Sequence, residues 1–66
     1  MSMHAQAERP RFYFVPEVAI ELRRSEASVR WLIATKRIKT GKIAGRVVVK
    51  PEDLDAFIEA GFEESK

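Results

Sequence analysis

The sequence contains no cysteine and only one histidine, His4. These absences exclude disulfides and thiolate metal sites, and a single histidine leaves no cluster of imidazole ligands for zinc. No apolar run approaches the length of a transmembrane helix or of a signal-peptide core. The sequence therefore predicts a soluble intracellular protein with no metal, no cofactor and no membrane partner. His4 is expected to lie in a terminal tail.

The chain is also short, and its 66 residues predict one small domain. A core of this size supplies only about 3–5 kcal/mol of stability and leaves little room for an enclosed catalytic cavity. Its four serines have no candidate base nearby in the sequence, and the acids between Asp53 and Glu64 resemble the solvated face of a helix. We therefore expect neither an enzyme nor a small-molecule substrate.

Charge is distributed unevenly along the chain. Residues 23–50 contain nine basic residues and one acid, which gives this segment a net charge of +8, whereas the remainder carries −6 and the whole chain +2. Positive charge confined to one segment is typical of a nucleic-acid-binding surface. Basic residues also form ordinary solvated surfaces, so the order of secondary structure has to distinguish the two interpretations.

A short strand is expected at the start of the folded part. The chain divides into a flexible tail, a domain and a second tail (residues 1–10, 11–62 and 63–66). Arg11–Val15 is aromatic and β-branched, which is typical of a strand. Alternation is expected to place Phe12 and Phe14 in the core and Tyr13 on the opposite side.

Two short helices joined by a tight turn follow this strand. Pro16 suits the first position of a helix that runs to about Arg23. The hydroxyl of Ser25 can cap a second helix, which is expected to end near Lys36. The apolar stripe of the second helix is Val29, Leu32 and Ile33. Two helices connected so closely form a helix-turn-helix.

The periodicity changes from helical to alternating after the second helix. Residues 37–50 are expected to form a β-hairpin, with Gly45 at positive φ in the turn and Gly41 marking a bulge or bend. Lys42 and Arg46 flank the tip of this hairpin.

A third helix is expected to begin at Pro51 and to end at Gly61, after which Phe62 packs back onto it. Its buried stripe is Leu54, Phe57 and Ile58. The order of strand, two helices, hairpin and helix predicts an α+β, mainly α fold, a winged helix-turn-helix.

In this fold the second helix enters the major groove of duplex DNA, and the hairpin contacts the neighbouring backbone or minor groove. Arg30 can donate to guanine O6 and N7, a pairing worth about 1–3 kcal/mol of discrimination. Glu26 can accept from cytosine N4 or orient Arg30 as an i,i+4 partner, and Ser28 can reach a phosphate or a base edge. The basic residues at and after the end of this helix are expected to bind phosphates, namely Lys36, Arg37, Lys39, Lys42 and Arg46. The residues predicted to contact DNA are Ser25, Glu26, Ala27, Ser28, Arg30, Trp31, Ala34, Lys36, Arg37, Lys39, Lys42 and Arg46.

Simpler interpretations exist for several of these residues. Arg30 can be a surface residue, Glu26 a charge in the first turn of the helix, and Lys42 and Arg46 solvated charges at a hairpin tip. Trp31 can bury its ring against the hairpin or the first strand, or it can contact a thymine methyl group or a sugar. The acidic face of the third helix can face solvent or meet the basic face of a neighbouring copy.

Four segments, taken in order, resemble the small winged helix-turn-helix proteins of the excisionase family, which are related to the DNA-binding domain of MerR-type regulators. They are FVPEVA (14–19), SEASVRWLI (25–33), KRIKTGKIAGRVVV (36–49) and PEDLDAFIEA (51–60), and the likeness covers about three quarters of the chain. The resemblance implies a phage or prophage recombination directionality factor in the cytoplasm of a bacterial host cell. Such proteins bind repeats in attachment-site DNA, often beside neighbouring copies, and bend it so that an integrase excises.

The chain departs from this family at two positions. Arg23 and Lys36 stand where the family often has glycine, which adds two cations near DNA and leaves the turn conformations open. Two other functions remain alternatives at this point. One is a small MerR-like transcriptional regulator, and the other is a protein-interaction module such as an antitoxin-like partner or a phage packaging subunit.

Overall fold

The order of elements in the protein is that of a winged helix-turn-helix. A computed structural model describes residues 9–64. Its elements are β1 (Tyr13–Phe14), α1 (Val15–Leu22), α2 (Glu26–Ala34), β2 (Gly41–Ile43), β3 (Arg46–Val49) and α3 (Pro51–Glu64). Three helices and a three-stranded antiparallel sheet confirm the fold class expected from the sequence.

Local side-chain contacts fix where the first two helices begin. At the start of α1, the N–H of Phe14 donates to Oε1 of Glu17 over 2.8 Å, and Pro16 occupies the first turn. At the start of α2, the N–H of Ser28 donates to Oγ of Ser25 over 3.1 Å, which confirms Ser25 as the cap. Each contact satisfies a backbone donor that the helix itself leaves without an acceptor.

The sheet has the strand order β1-β3-β2, so β3, the last strand along the chain, lies at its centre. Ala44 and Gly45 connect β2 to β3 with φ angles of 52° and 80°, the two positive values that a type I′ hairpin turn requires. Gly41 pairs in regular register with Val48, so the bulge considered at Gly41 is wrong.

The two faces of the sheet have different roles. Tyr13 lies opposite Val49, and both are buried, at 7% and 0% exposure. Because directly opposed residues share a face, this face is the one that packs on the helices. The core it completes comprises Tyr13, Val18, Ala19, Val29, Ile38, Val49 and Leu54.

The other face carries a smaller apolar cluster. Phe14 lies opposite Val48 on this face, and its ring meets that of Phe12 edge-on with centroids 5.5 Å apart. Both phenylalanines are only half-buried. The expectation that Phe12 and Phe14 enter the core while Tyr13 faces away is therefore wrong. The side chains of β1 alternate as expected, but its register against β3 places Tyr13, and not Phe12 or Phe14, on the inward face.

Helix α3 is longer than the sequence predicted. It continues through Gly61 to Glu64, so Gly61 does not end it, and Phe62 is 69% exposed rather than packed back. A lone glycine costs a helix only about 1 kcal/mol, and it ends one when the chain turns into the left-handed region there. Gly45 is the one glycine of residues 9–64 that adopts positive φ. Leu54, at 1% exposure, anchors α3 in the core.

An ion pair joins the segment before β1 to α3. Nη1 and Nη2 of Arg9 donate to the two carboxylate oxygens of Asp55 over 2.7 and 3.1 Å. The Arg9 guanidinium holds the pKa of Asp55 below its usual range, chiefly through these hydrogen bonds. Arg9 belongs to the segment expected to be a tail. The rest of that segment up to residue 8, with His4, lies outside the described residues, as do residues 65–66.

Candidate nucleic-acid interface

The apolar stripe of α2 faces the core, which leaves the opposite face of the helix exposed. Val29 is fully buried at 0% exposure, and Leu32 and Ile33 pack half-buried against the core. The orientation expected for the helix is confirmed. The exposed residues along the opposite face are Glu26, Ala27, Arg30, Trp31 and Ala34. Two of these are alanines, which leave the backbone of the helix open to close approach by a groove.

Arg30 is the polar side chain best placed at the centre of this face. Its Nη1 lies 3.4 Å from Oε1 of Glu26, and the two side chains are 62% and 49% exposed. An exposed i,i+4 pair of this kind is worth only about 0.3–0.5 kcal/mol. The pair therefore orients the guanidinium in the free protein without preventing its exchange for a base or a phosphate.

The first turn of α2 is tied to the linker that precedes it. The hydroxyl of Ser25 is used as the helix cap, and Nη2 of Arg24 donates to Oγ of Ser28 over 3.4 Å. Ser25 thus has a structural role, whether or not it also contacts DNA. Arg24 was not among the predicted contact residues. Its position two residues before the helix, next to a second arginine, was the available signal.

Trp31 is 56% exposed, which excludes burial of its ring against the hairpin or the first strand. The guanidinium carbon of Arg37 lies 5.4 Å from the centroid of the ring, within cation–π range. The indole lines a shallow cleft of about 270 Å³ together with Leu22, Arg24, Ser28, Leu32 and Phe57. The exposed indole ring therefore gives α2 an aromatic surface that a ligand can reach.

The loop between α2 and β2 carries three of the predicted phosphate-binding residues. Lys36, Arg37 and Lys39 are all exposed, and Lys36 adopts a left-handed conformation with φ 63°. Ile38 between them is buried at 4% exposure and fixes the loop to the core. The cations therefore project from an anchored segment.

The wing, which comprises β2, β3 and the turn between them, does not bring its two cations together. Lys42 opposes Val47, and Arg46 opposes Ile43. Since neighbouring residues of a strand alternate, Lys42 and Arg46 lie on opposite faces of the hairpin. Arg46 lies on the face of Phe14, and its guanidinium carbon is 4.0 Å from that ring centroid. Lys42 lies on the face that packs on the helices.

Two further findings bear on the kind of site present. Across residues 9–64 no group of three or more His, Cys, Asp or Glu side chains is placed to hold a metal ion. Within the same range, none of the helices has the length and apolar character needed to cross a membrane.

Two helices joined by a tight turn, followed by a basic hairpin, define the class of winged helix-turn-helix proteins. A family model described as a helix-turn-helix domain matches residues 12–61, and the chain belongs to this family. Membership supports a DNA-binding role. No curated protein and no solved structure shows significant similarity to the chain.

Proposed function

We propose that the protein is a sequence-specific binder of duplex DNA and has no enzymatic activity. Helix α2 enters the major groove, and the wing contacts the adjacent backbone or minor groove. The observation that carries this proposal is the outward face of α2, where the exposed guanidinium of Arg30 lies beside Glu26, and Ala27 and Ala34 lie about one turn before and after it. The loop after α2 adds further exposed cations, and the wing adds Lys42 and Arg46, one on each of its faces.

Arg30 and Lys42 have different tasks in this proposal. Arg30 reads a base, so Arg30→Ala should remove preference for the selected site by about 1–3 kcal/mol. Lys42 binds a phosphate, so Lys42→Ala should weaken binding to every duplex alike and flatten the salt dependence by roughly one unit of slope.

The experiment is a set of anisotropy titrations against a selected site and a random duplex at several salt concentrations. If the wild type changes the anisotropy of no duplex at low salt, DNA binding is refuted. Equal losses of site preference in both variants would refute the division of tasks.

The finer proposal is an excisionase. It rests on the resemblance of the four segments to that family. The protein then binds attachment-site repeats beside neighbouring copies of itself, bends the DNA and directs an integrase toward excision, in the cytoplasm of a bacterial host cell. A gel shift on permuted attachment-site fragments measures binding and bending, and an excision assay with the integrase measures directionality. Binding without bending and without any effect on excision would leave only the general DNA-binding proposal.

A small transcriptional regulator is the second candidate, because the family match covers the winged helix-turn-helix that both functions share. Promoter occupancy without an effect on excision would favour it. A protein-interaction module would instead bind a protein partner, with an affinity that is insensitive to salt on the basic face.

A further inference from the structure

Both helices of the helix-turn-helix end in the same backbone motif. At the end of α1, the N–H of Arg23 donates to the carbonyl of Ile20 over 3.1 Å, and the N–H of Arg24 donates to that of Ala19 over 3.0 Å. Arg23 adopts φ 57° and ψ 44°. This pair of hydrogen bonds around a left-handed residue is the Schellman motif, in which glycine is the usual left-handed residue.

The end of α2 repeats this arrangement. The N–H of Lys36 donates to the carbonyl of Ile33 over 3.1 Å, and the N–H of Arg37 donates to that of Leu32 over 2.9 Å. Lys36 adopts φ 63°. The left-handed position is again occupied by a basic residue in place of glycine.

A left-handed conformation is strained for any residue that has a Cβ atom. The side chains of Arg23 and Lys36 make no hydrogen bond or ion pair with another residue of 9–64, so only the two backbone hydrogen bonds of each motif offset the strain. A non-glycine residue that the surrounding structure holds in the left-handed region is a candidate functional position. What glycine lacks and these residues have in common is a positive charge at the end of a long, exposed side chain.

The two strained cations flank α2. Arg23 lies two residues before the cap Ser25, and Lys36 directly follows Thr35. A helix of 9 residues is about 14 Å long, similar to the width of about 12 Å of the major groove. The two ends of α2, beside which Arg23 and Lys36 lie, are thus separated by about the width of the groove.

The arginine that follows each strained residue is already engaged with α2. Arg24 donates to Ser28, and the guanidinium of Arg37 covers the ring of Trp31. At each end of the helix, therefore, one cation is held against the protein and the strained one remains available.

We propose that Arg23 and Lys36 bind backbone phosphates on the two sides of the major groove, and that the protein keeps these charges at a loss of fold stability. The ligand group is the phosphodiester. The inference rests on the proposed DNA-binding function and extends it to Arg23, which the sequence did not mark as a contact residue.

Substitution by glycine tests both halves of the proposal together. Arg23→Gly and Lys36→Gly should each raise the midpoint of thermal unfolding by about 4 °C, because glycine accepts the left-handed conformation without strain. Each should also lower affinity for duplex DNA about eightfold at 0.1 M salt and reduce the salt slope by about 0.9, the effect of one lost phosphate contact. Thermal unfolding is followed by circular dichroism and affinity by anisotropy titration.

Two controls separate strain from charge. Ala44 is also left-handed, with φ 52°, but carries no charge. Ala44→Gly should raise the thermal midpoint as the two cationic variants do, and it serves as the control for strain alone because it removes no charge. Arg23→Lys retains both the strain and the charge, and should leave the midpoint and the affinity as in the wild type.

The outcomes distinguish this inference from the function on which it rests. A wild type that binds no duplex refutes the proposed function, whatever the thermal midpoints are. A wild type that binds, together with an Arg23→Gly variant of equal affinity, refutes the phosphate contact alone. A lower midpoint in Arg23→Gly and Lys36→Gly refutes the role of strain.

Discussion

Substitution of Glu26 by glutamine decides what the acid in the first turn of α2 does. Its carboxylate lies 3.4 Å from the guanidinium of Arg30, with both side chains about half exposed. Two unit charges at that distance attract by about 1.2 kcal/mol in water, and the entropy of two exposed side chains reduces this to about 0.3–0.5 kcal/mol. Loss of a carboxylate at the helix N-terminus adds about 0.3–1 kcal/mol. Glu26→Gln should therefore lower the thermal midpoint by about 3–10 °C.

The same variant should bind DNA more tightly. Removing a negative charge from the face proposed to meet DNA ends a repulsion with the phosphates, and it releases Arg30 from Glu26. We expect affinity to rise about threefold or more at 0.1 M salt on all duplexes. Anisotropy titration against a selected site and a random duplex measures this, and circular dichroism measures the midpoint. Glu59→Gln is the matched control, because it removes an exposed acid from α3 and leaves α2 intact.

One result would refute this reasoning. If Glu26→Gln weakens binding to the selected site and leaves the random duplex unchanged, then Glu26 accepts a hydrogen bond from a base, and its place beside Arg30 in the free protein is secondary.

Three further substitutions test the framework that holds the interface. Leu54→Ala should leave the chain largely unfolded at 37 °C by circular dichroism, since its cost of about 3–5 kcal/mol matches the stability of a domain this small; a midpoint lowered by less than about 5 °C would contradict the central position of Leu54. Because Arg9 lowers the pKa of Asp55, the wild type should be more stable than Asp55→Asn above about pH 4, and this advantage should vanish as the pH falls further; urea denaturation at pH 7 and pH 3 measures it, and an equal advantage at both values would contradict the ion pair. Phe14→Leu should lose the cation–π contact with Arg46, about 0.5–1 kcal/mol, and a double-mutant cycle with Arg46→Ala should show coupling of that size, whereas additive effects would contradict the contact.

The helical part of the fold could be predicted because several local signals agreed. Ser25 caps α2 as its position before an apolar stripe indicated, and Val29 faces the core as the helical period required. The turn at Gly45 followed from the conformational freedom of glycine, although Ala44 shares the positive φ.

Long-range pairing was beyond the sequence. The face of β1 depends on its register with β3, more than thirty residues away, and no local pattern states whether Tyr13 or Phe14 lies inward. The length of α3 depends on the small difference in free energy between continuing the helix and ending it at Gly61. The presence of a glycine alone does not decide between these two conformations.

In the candidate site, too, local patterns were predictable from the sequence and long-range pairing was not. The sequence sufficed to place Arg30 outward on α2, because the opposite stripe is apolar. It grouped Lys42 with Arg46 by their closeness to the hairpin tip, and only the register between β2 and β3 separates them onto two faces. The stacking of Arg37 on Trp31 likewise depends on how the chain leaves α2.

The central place of β3 in the sheet connects the wing to the helix-turn-helix. This strand is held on both sides, by β1, which leads directly into the helix-turn-helix, and by β2 of the wing. Tilting the wing away from α2 would require breaking backbone hydrogen bonds on one side of the strand. In the proposed complex, a duplex that touches both α2 and the wing would therefore deform more readily than the protein. Sites rich in flexible pyrimidine–purine steps should then be favoured at positions that no side chain reaches, which a selection from random sequences would detect.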